Sequence, residues 1–275
     1  MNDPAALAAA LGVRLWTTEA FIPTYRAGAS GRWRIHPGGA LVHDYGYHSG
    51  PCMLAMLPSL SRKCESAGDD DDGPWETWMS ITPLEVESQE LGYRHAFGHT
   101  VVMGLGMGWI AANCALNPAV NRVTVVERDA EVIRLIEASG AFDALPEPAR
   151  RKLAIVAGDA LEWRPGAEDA VDFLYADIWL NLAERNALAD VRRMQAHVGA
   201  QQVYYWGQEI AIHAAMARLA GGETGRAPVA ADIHRAIDEL IGLPLLVPRD
   251  GDYAGLVQAV VHHRRQRRLP VEVEL

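Results

Sequence analysis

Apolar runs of four to six residues recur through the middle of the chain, separated by stretches of helical periodicity. Thr100-Val-Val-Met103, Val123-Thr-Val-Val126, Leu153-Ala-Ile-Val-Ala157, Val171-Asp-Phe-Leu-Tyr-Ala176 and Gln202-Val-Tyr-Tyr-Trp206 each read as a strand. Such runs, apolar on both faces and alternating with helices, predict a parallel sheet covered on two sides. Residues 186–198 have the helical period and should connect the last two strands. Upstream the pattern changes. Arg32-Trp-Arg-Ile-His36, a Pro37-Gly-Gly turn and Ala40-Leu-Val-His-Asp44 predict a β-hairpin, and residues 75–80 another strand. Thr82-Pro83-Leu84-Glu85 is a helix start in which Thr82 caps, Pro83 occupies the first turn and Glu85 reaches back to complete a capping box. That helix should run to about Leu91, with a turn over Gly92–Gly98 leading into the first sheet strand. Beyond Trp206, residues 209–220 and 230–241 read as helices broken at Gly221-Gly222, while 243–247 and 253–263 fit more than one element.

The chemistry lies at the ends of the central strands. The first runs into Gly104-Leu105-Gly106-Met107-Gly108, and the second ends in Glu127-Arg128. Glycines there permit a tight turn and close backbone approach to a ligand. A carboxylate at the tip of the next strand is placed to accept hydrogen bonds from two ribose hydroxyls. The third strand ends in Gly158-Asp159-Ala160 and the fourth in Asp177, with Trp179 close behind. Three carboxylates at successive strand ends fall on the edge where open α/β sheets bind ligands. The dinucleotide pattern Gly-x-Gly-x-x-Gly/Ala is not met, because its third small position is occupied by Trp109.

With that spacing and order, the chain resembles the class I S-adenosylmethionine-dependent methyltransferases, whose first motif matches Gly104-x-Gly106-x-Gly108. The resemblance implies an α/β Rossmann-like fold with a cofactor-binding part over 99–209; the residue pattern adds a small hairpin-containing N-terminal module over 1–98 and, where it departs from the ordinary methyltransferase, a helical C-terminal extension over 210–275 that completes the fold or covers the acceptor pocket. The resemblance also implies S-adenosylmethionine as methyl donor, held by Gly104, Leu105, Gly106, Gly108, Glu127, Arg128, Asp159, Ala160, Asp177 and Trp179, with Asp159 meeting the adenine amino group. Asp177 is the candidate for orienting or deprotonating the acceptor, and Tyr175 shares its strand face by two-residue alternation.

Val102, two residues before the first glycine where most of these enzymes carry a carboxylate, and the β-rich segment ahead of the sheet are similar to the spermidine synthase branch. That branch carries Asp-Ser-Ser-Asp where this chain has Asp177-Ile-Trp-Leu180, and its Tyr-His-Glu signature is not recognisable here. Methyl transfer to a small-molecule or peptide acceptor is therefore expected first. Aminopropyl or related chemistry releasing methylthioadenosine comes second, and a nucleoside-binding protein without catalysis third.

Composition narrows the setting. With 275 residues, 49% of them hydrophobic, the chain can bury one large core and a modest extra module. No apolar run approaches a bilayer span and the N-terminus lacks a signal-peptide layout. Cys52, Cys64 and Cys114 have no paired metal spacing, so a reduced, cytoplasmic setting is expected. A net charge of −10 makes nucleic acid a poor default partner. The Asp69–Asp72 run should be a solvated loop, and Arg264-Arg265-Gln-Arg267-Arg268 a solvated helix end. Ten histidines offer no convincing ligand spacing, so no metal is expected, and one or two of them should line the acceptor pocket. The tail could instead contribute to a homodimer contact.

Overall fold

A computed structural model of the protein describes residues 4–38, 42–54, 57–64, 73–222, 228–249 and 251–275. The Asp69–Asp72 run and the tip of the expected hairpin lie outside them. Helix α1 (Pro4–Ala10) is followed by two small sheets. In one, β1 (Arg14–Leu15) runs parallel to β5 (Pro51–Leu54), which pairs antiparallel with β4 (Val42–Tyr45). The other is antiparallel, in the order β2 (Gly28–Ser30), β3 (Trp33–His36), β6 (Ser59–Lys63), β7 (Trp75–Ser80). The expected hairpin between residues 32–36 and 40–44 is therefore corrected. β3 turns back on β2 through Gly31-Arg32, and β4 belongs to the other sheet. Gly31 has φ +52°, which suits the two-residue connection, and Ser30 faces Trp33 across it.

Helix α2 (Pro83–His95) then leads into the large sheet, formed by β8 (Gly98–Met103), β9 (Val120–Glu127), β10 (Leu153–Ala157), β11 (Phe173–Ala176) and β12 (Gln202–Tyr205). All neighbours are parallel and the order is β10-β9-β8-β11-β12, so the chain winds outward in both directions from β8. That is an α/β Rossmann-like fold, and the chain reverses its winding between β8 and β11, where open sheets bind ligands. The connections carry α3 (Trp109–Leu116), α4 (Ala130–Ser139), α5 (Glu147–Arg150) and α6 (Ala187–Val198).

Alternation along each strand assigns its side chains to two cores. Val102, Val125, Tyr175 and Tyr204 face α2, α3 and α4, in a cluster that also takes in Trp33, Ile35 and Leu60 of the antiparallel sheet. Val101, Met103, Leu174, Ala176, Val203 and Tyr205 face α6 and the C-terminal helices. Core packing thus runs without a break from the antiparallel N-terminal sheet into the parallel sheet.

Helix α2 extends four residues past Leu91, with Gly92 inside it rather than in a turn. The Tyr175 and Tyr204 rings lie against its bare Cα, where a Cβ would come within 2.2 Å of Tyr175 Cε2 and 2.4 Å of Tyr204 Cδ1. After β12 come α7 (Gln208–Leu219), α8 (Ala230–Ala236) and a π-helical turn over Ile237–Ile241. Residues 243–247 extend the sheet: the Val203 N–H donates to the Pro244 carbonyl at 2.9 Å and the Leu246 N–H to the Val203 carbonyl at 2.7 Å, a parallel bridge. Helix α9 (Tyr253–Gln266) closes the chain. Its basic end is not wholly solvated. Arg264 is buried, donating from Nε to the Pro270 carbonyl at 2.8 Å, and Arg267 stacks 4.5 Å from the centre of the Tyr45 ring. Among the described residues no helix is long and apolar enough to cross a membrane.

Candidate active site

Ladder hydrogen bonds carry the sheet past its strand ends and align the candidate groups along one edge. The Gly104 N–H donates to the Val126 carbonyl, the Gly158 N–H to Glu127, the Asp177 N–H to Met103 and the Trp206 N–H to Ala176, all at 2.9–3.0 Å. Above this edge lies a cleft of about 510 Å³, floored by the strand ends and walled on the far side by β3, β6 and β7. That volume is within the range of small-molecule sites.

Gly104, Gly106, Glu127, Arg128, Asp159, Ala160, Asp177 and Trp179 all line the cleft. Glu127 ties the loop together: Oε2 accepts the Leu105 N–H at 3.0 Å and Oε1 the Asp129 N–H at 2.8 Å. A carboxylate oxygen has more than one lone pair, so both can accept further donors from the cleft. Asp159 Oδ1 accepts the Leu161 N–H at 2.9 Å. The Trp179 indole N–H donates to Asp190 at 2.9 Å, which fixes the ring at the cleft wall.

The glycines have separate reasons to be glycine. At Gly104 (φ +98°) a Cβ would lie 2.1 Å from the Asp177 carbonyl oxygen, so the residue lets β8 and β11 end side by side. Gly108 caps α3, and a Cβ there would meet Phe142 at 2.9 Å. It packs beneath the loop and does not line the cleft. Leu105 is buried and contributes through its backbone.

Tyr175 is corrected as a candidate catalytic group. Its side chain does face the same way as Asp177, but one layer deeper, fully buried under α2. Its hydroxyl donates to Gln89 Oε1 at 2.5 Å. Gln89, itself fully buried, turns its amide nitrogen to two carboxylates at once: Asp177 Oδ2 and Glu85 Oε1, each at 2.7 Å. Glu85 was expected in a capping box. Thr82 does cap, accepting the Glu85 N–H at 3.1 Å, but the Glu85 side chain turns away from the helix end and lines the cleft opposite Asp177.

Both acids are held above the ordinary carboxylate range. Burial, with the Asp177 charge second, pushes Glu85 up to about 8; the Gln89 amide opposes it, as does the nearby Trp109 indole N–H. Burial pushes Asp177 up to about 6, again against the Gln89 amide. Near neutrality the pair therefore holds about one proton and one negative charge. The only local hint of Glu85's role was its place three residues after Thr82, which fits a capping box equally well. Asp129 was also missed: it caps α4, accepts the Trp33 indole N–H at 2.7 Å and lines the cleft.

No histidine is among the described residues lining the cleft, against expectation. His99 is buried in the sheet between the Ala170 carbonyl and Thr124 Oγ1, at 3.0 and 2.9 Å. His95 contacts the Leu91 carbonyl on its own helix. Cys52, Cys64 and Cys114 are free thiols.

No protein-family model matches the chain, and no curated protein does. Solved structures similar to it include PH1948 from Pyrococcus horikoshii, named provisionally as an RNA methyltransferase (TM-score 0.34, 18% identity, 46% of this chain and 58% of that one). Others are the 23S rRNA methyltransferase ErmE (0.32, 13%, 43% and 42%) and the glycopeptide N-methyltransferase MtfA complexed with S-adenosyl-L-methionine (0.30, 18%, 41% and 47%). The chain spans about half the length of each of these proteins, and at such scores its fold and site rest on its own geometry.

Proposed function

We propose that the chain is an S-adenosylmethionine-dependent transferase, and that it transfers the methyl group to a small-molecule or peptide acceptor. One observation carries the reading: the Gly104–Gly106 loop, Glu127, Asp159 and Asp177 come together around one cleft, in the order their strands take across the sheet edge. The residues present fit the cofactor. Glu127 has lone pairs left for two ribose hydroxyls beyond its two backbone donors, and Asp159, with Ala160 and Leu161, offers an acceptor beside an apolar surface for the adenine. The Gly104–Gly106 backbone leaves room for the amino-acid end. When bound, the cofactor supplies a sulfonium whose methyl group is already activated toward nucleophiles, so the protein's part is alignment and exclusion of water.

The indoles of Trp33, Trp78, Trp179 and Trp206 supply much of that exclusion, and Asp177 faces the acceptor. Residues 1–98 wall the acceptor side, 99–209 hold the cofactor, and 210–275 back the sheet. The buried acid pair disfavours a phosphate-rich acceptor, since like charges repel strongly where water is scarce.

One observation favours a second reading, aminopropyl transfer. The second carboxylate that Asp177-Ile-Trp-Leu180 lacks is supplied from α2 by Glu85.

Calorimetric titration with S-adenosylmethionine, S-adenosylhomocysteine and methylthioadenosine tests these readings. Micromolar binding of the first two, with weaker binding of the third, is expected. Tightest binding of methylthioadenosine would move the assignment to aminopropyl chemistry, and no binding of any would overturn the cofactor reading.

A further inference from the structure

We propose that Met79 is a plug on the glycine loop that admits the cofactor's amino-acid end by swinging aside, and so sets how the cleft weighs nucleosides with that end against those without it. The inference rests on the cofactor reading of the cleft and adds to it the residue that decides which nucleoside is held.

A bulge in β7 brings the side chain there. Opposite Leu60-Ser61 the pairing with β6 slips by one residue: Leu60 faces Met79 and Ser61 faces Thr77, which leaves Trp78 as the extra residue. Glu76 and Met79 are three positions apart, an odd spacing that a regular strand would send to opposite faces. The insertion restores them to one face, where Glu76 pairs with Arg62 at 2.6 Å and Met79 lines the cleft with Leu60 and Arg62. The bulge is braced from the neighbouring strands. The Arg62 guanidinium lies 4.5 Å from the centre of the Trp78 ring, and Trp33 stands perpendicular to that ring at 5.4 Å. The Trp33 indole N–H in turn donates to Asp129 at 2.7 Å. What freedom Met79 has is therefore in its side chain.

The thioether rests on Gly106. This glycine has φ +49°, and only Met79 Sδ and Cε, at 2.7 and 3.6 Å, lie within 4 Å of where its Cβ would be, among the described residues beyond its chain neighbours. Gly104 and Gly108 differ, since the Asp177 backbone fills that space at the one, and Phe142 and Ile136 fill it at the other. Apart from its positive φ, nothing fixed accounts for the bare Cα at Gly106, and its cradle opens on the cleft once the sulfur leaves. Met79 is half-buried, unbranched and hung on three soft torsions, which suits it to that movement.

The amino-acid end of S-adenosylmethionine and the Met79 thioether claim the same space. Methylthioadenosine stops at its methylthio group and leaves the thioether where it lies. A filled cradle thus lowers the apparent affinity only for nucleosides that carry the amino-acid end, by the fraction of molecules in which Met79 has swung clear.

The test is calorimetric titration of the full chain with S-adenosylhomocysteine and methylthioadenosine, in wild type, Met79→Ala and Met79→Ile. Removing the plug in Met79→Ala should tighten S-adenosylhomocysteine binding about threefold or more. A side chain branched at Cβ holds its χ1 stiffly, so Met79→Ile should weaken it about threefold or more. Methylthioadenosine should stay within about twofold in both variants. A residue that merely held the cleft wall would shift the two ligands together. In wild-type protein labelled at its methionine methyls, the Met79 signal is identified by its loss in Met79→Leu. That signal should move with S-adenosylhomocysteine and not with methylthioadenosine, which decides the matter if the other variants do not fold. Looser S-adenosylhomocysteine binding in Met79→Ala, an unmoved ratio of the two affinities, or a methyl signal that answers both ligands alike would overturn the proposal and leave the cofactor reading intact. Binding of neither ligand would overturn both.

Discussion

At the scale of single residues, Gly92 and Glu127 pose opposite questions. Gly92 is a glycine inside a helix, where alanine would ordinarily gain about 1 kcal/mol in helix propensity. Here the added methyl would meet two rings at 2.2 and 2.4 Å. The rings cannot easily move aside, because Tyr175 is held by Gln89 and Tyr204 by the Ser88 carbonyl. Overpacking of this kind costs about 1–3 kcal/mol, so Gly92→Ala should lower the urea midpoint despite the better helix former. A raised midpoint would mean that the aromatic layer is looser than the contacts imply. Glu127 is a polar group with two duties, stapling the glycine loop and facing the proposed ribose. Glu127→Ala should weaken S-adenosylhomocysteine binding by about 1–3 kcal/mol, the range for hydrogen bonds to a charged group. An unchanged calorimetric Kd would leave it the loop staple alone.

At the scale of elements, α2 decides how the site is assembled. Its N-terminus is set by Thr82, whose Oγ1 accepts the Glu85 N–H, and Thr82→Ala should cost about 1 kcal/mol of stability. Because that cap orients only the first turn of α2, S-adenosylhomocysteine binding should stay near the wild-type value. A parallel loss of S-adenosylhomocysteine binding would show that α2 supports the whole cleft. The same helix marks how far local pattern carries. The parallel strands were legible because burial on both faces forces long apolar runs, and the carboxylates at Glu127, Asp159 and Asp177 because each stands at or just after the end of such a run. The end of α2 was not, since a glycine that packs under two rings and a glycine that makes a turn are the same letter. Glu85 was hidden for a related reason. A glutamate three residues after a capping threonine serves a capping box or a cleft equally well, and Gln89, which draws it toward Asp177, does so across 88 residues of sequence. The hairpin misreading at 32–44 has that origin too, as β3 and β4 are each good strands and only the surrounding sheets choose their partners.

At the scale of the whole molecule, three buried acids set how stability responds to pH. Glu209 on α7 links the turn between β4 and β5 to the start of α9, accepting the Tyr47 hydroxyl at 3.0 Å and the Tyr253 hydroxyl at 3.3 Å, and burial pushes it up to about 7. Tyr204 and Tyr205 also face it, while Arg264 lies near Tyr47 and Arg192 near Tyr205. Glu85 and Asp177, raised to about 8 and about 6, make up the set. In the unfolded chain these groups titrate near 4, so with rising pH the unfolded state loses their protons first. The native state then holds more protons, and the free energy of unfolding must fall as pH rises. The loss should begin above about pH 4, continue through 6 and 7, and level off once Glu85 has ionised near 8. This is the reverse of the acid lability expected of paired surface carboxylates, whose contributions are small when exposed. The urea midpoint of the ligand-free protein should accordingly be higher at pH 5.5 than at pH 8.5. Glu209→Gln should flatten the profile between about pH 4 and 7, and Glu85→Gln over the whole span from about pH 4 to 8, including the part above 7 that Glu209→Gln leaves unchanged. A midpoint that rises with pH in the wild type would mean that these acids are ionised and solvated in the native state, and the closed cleft floor would have to be redrawn around them.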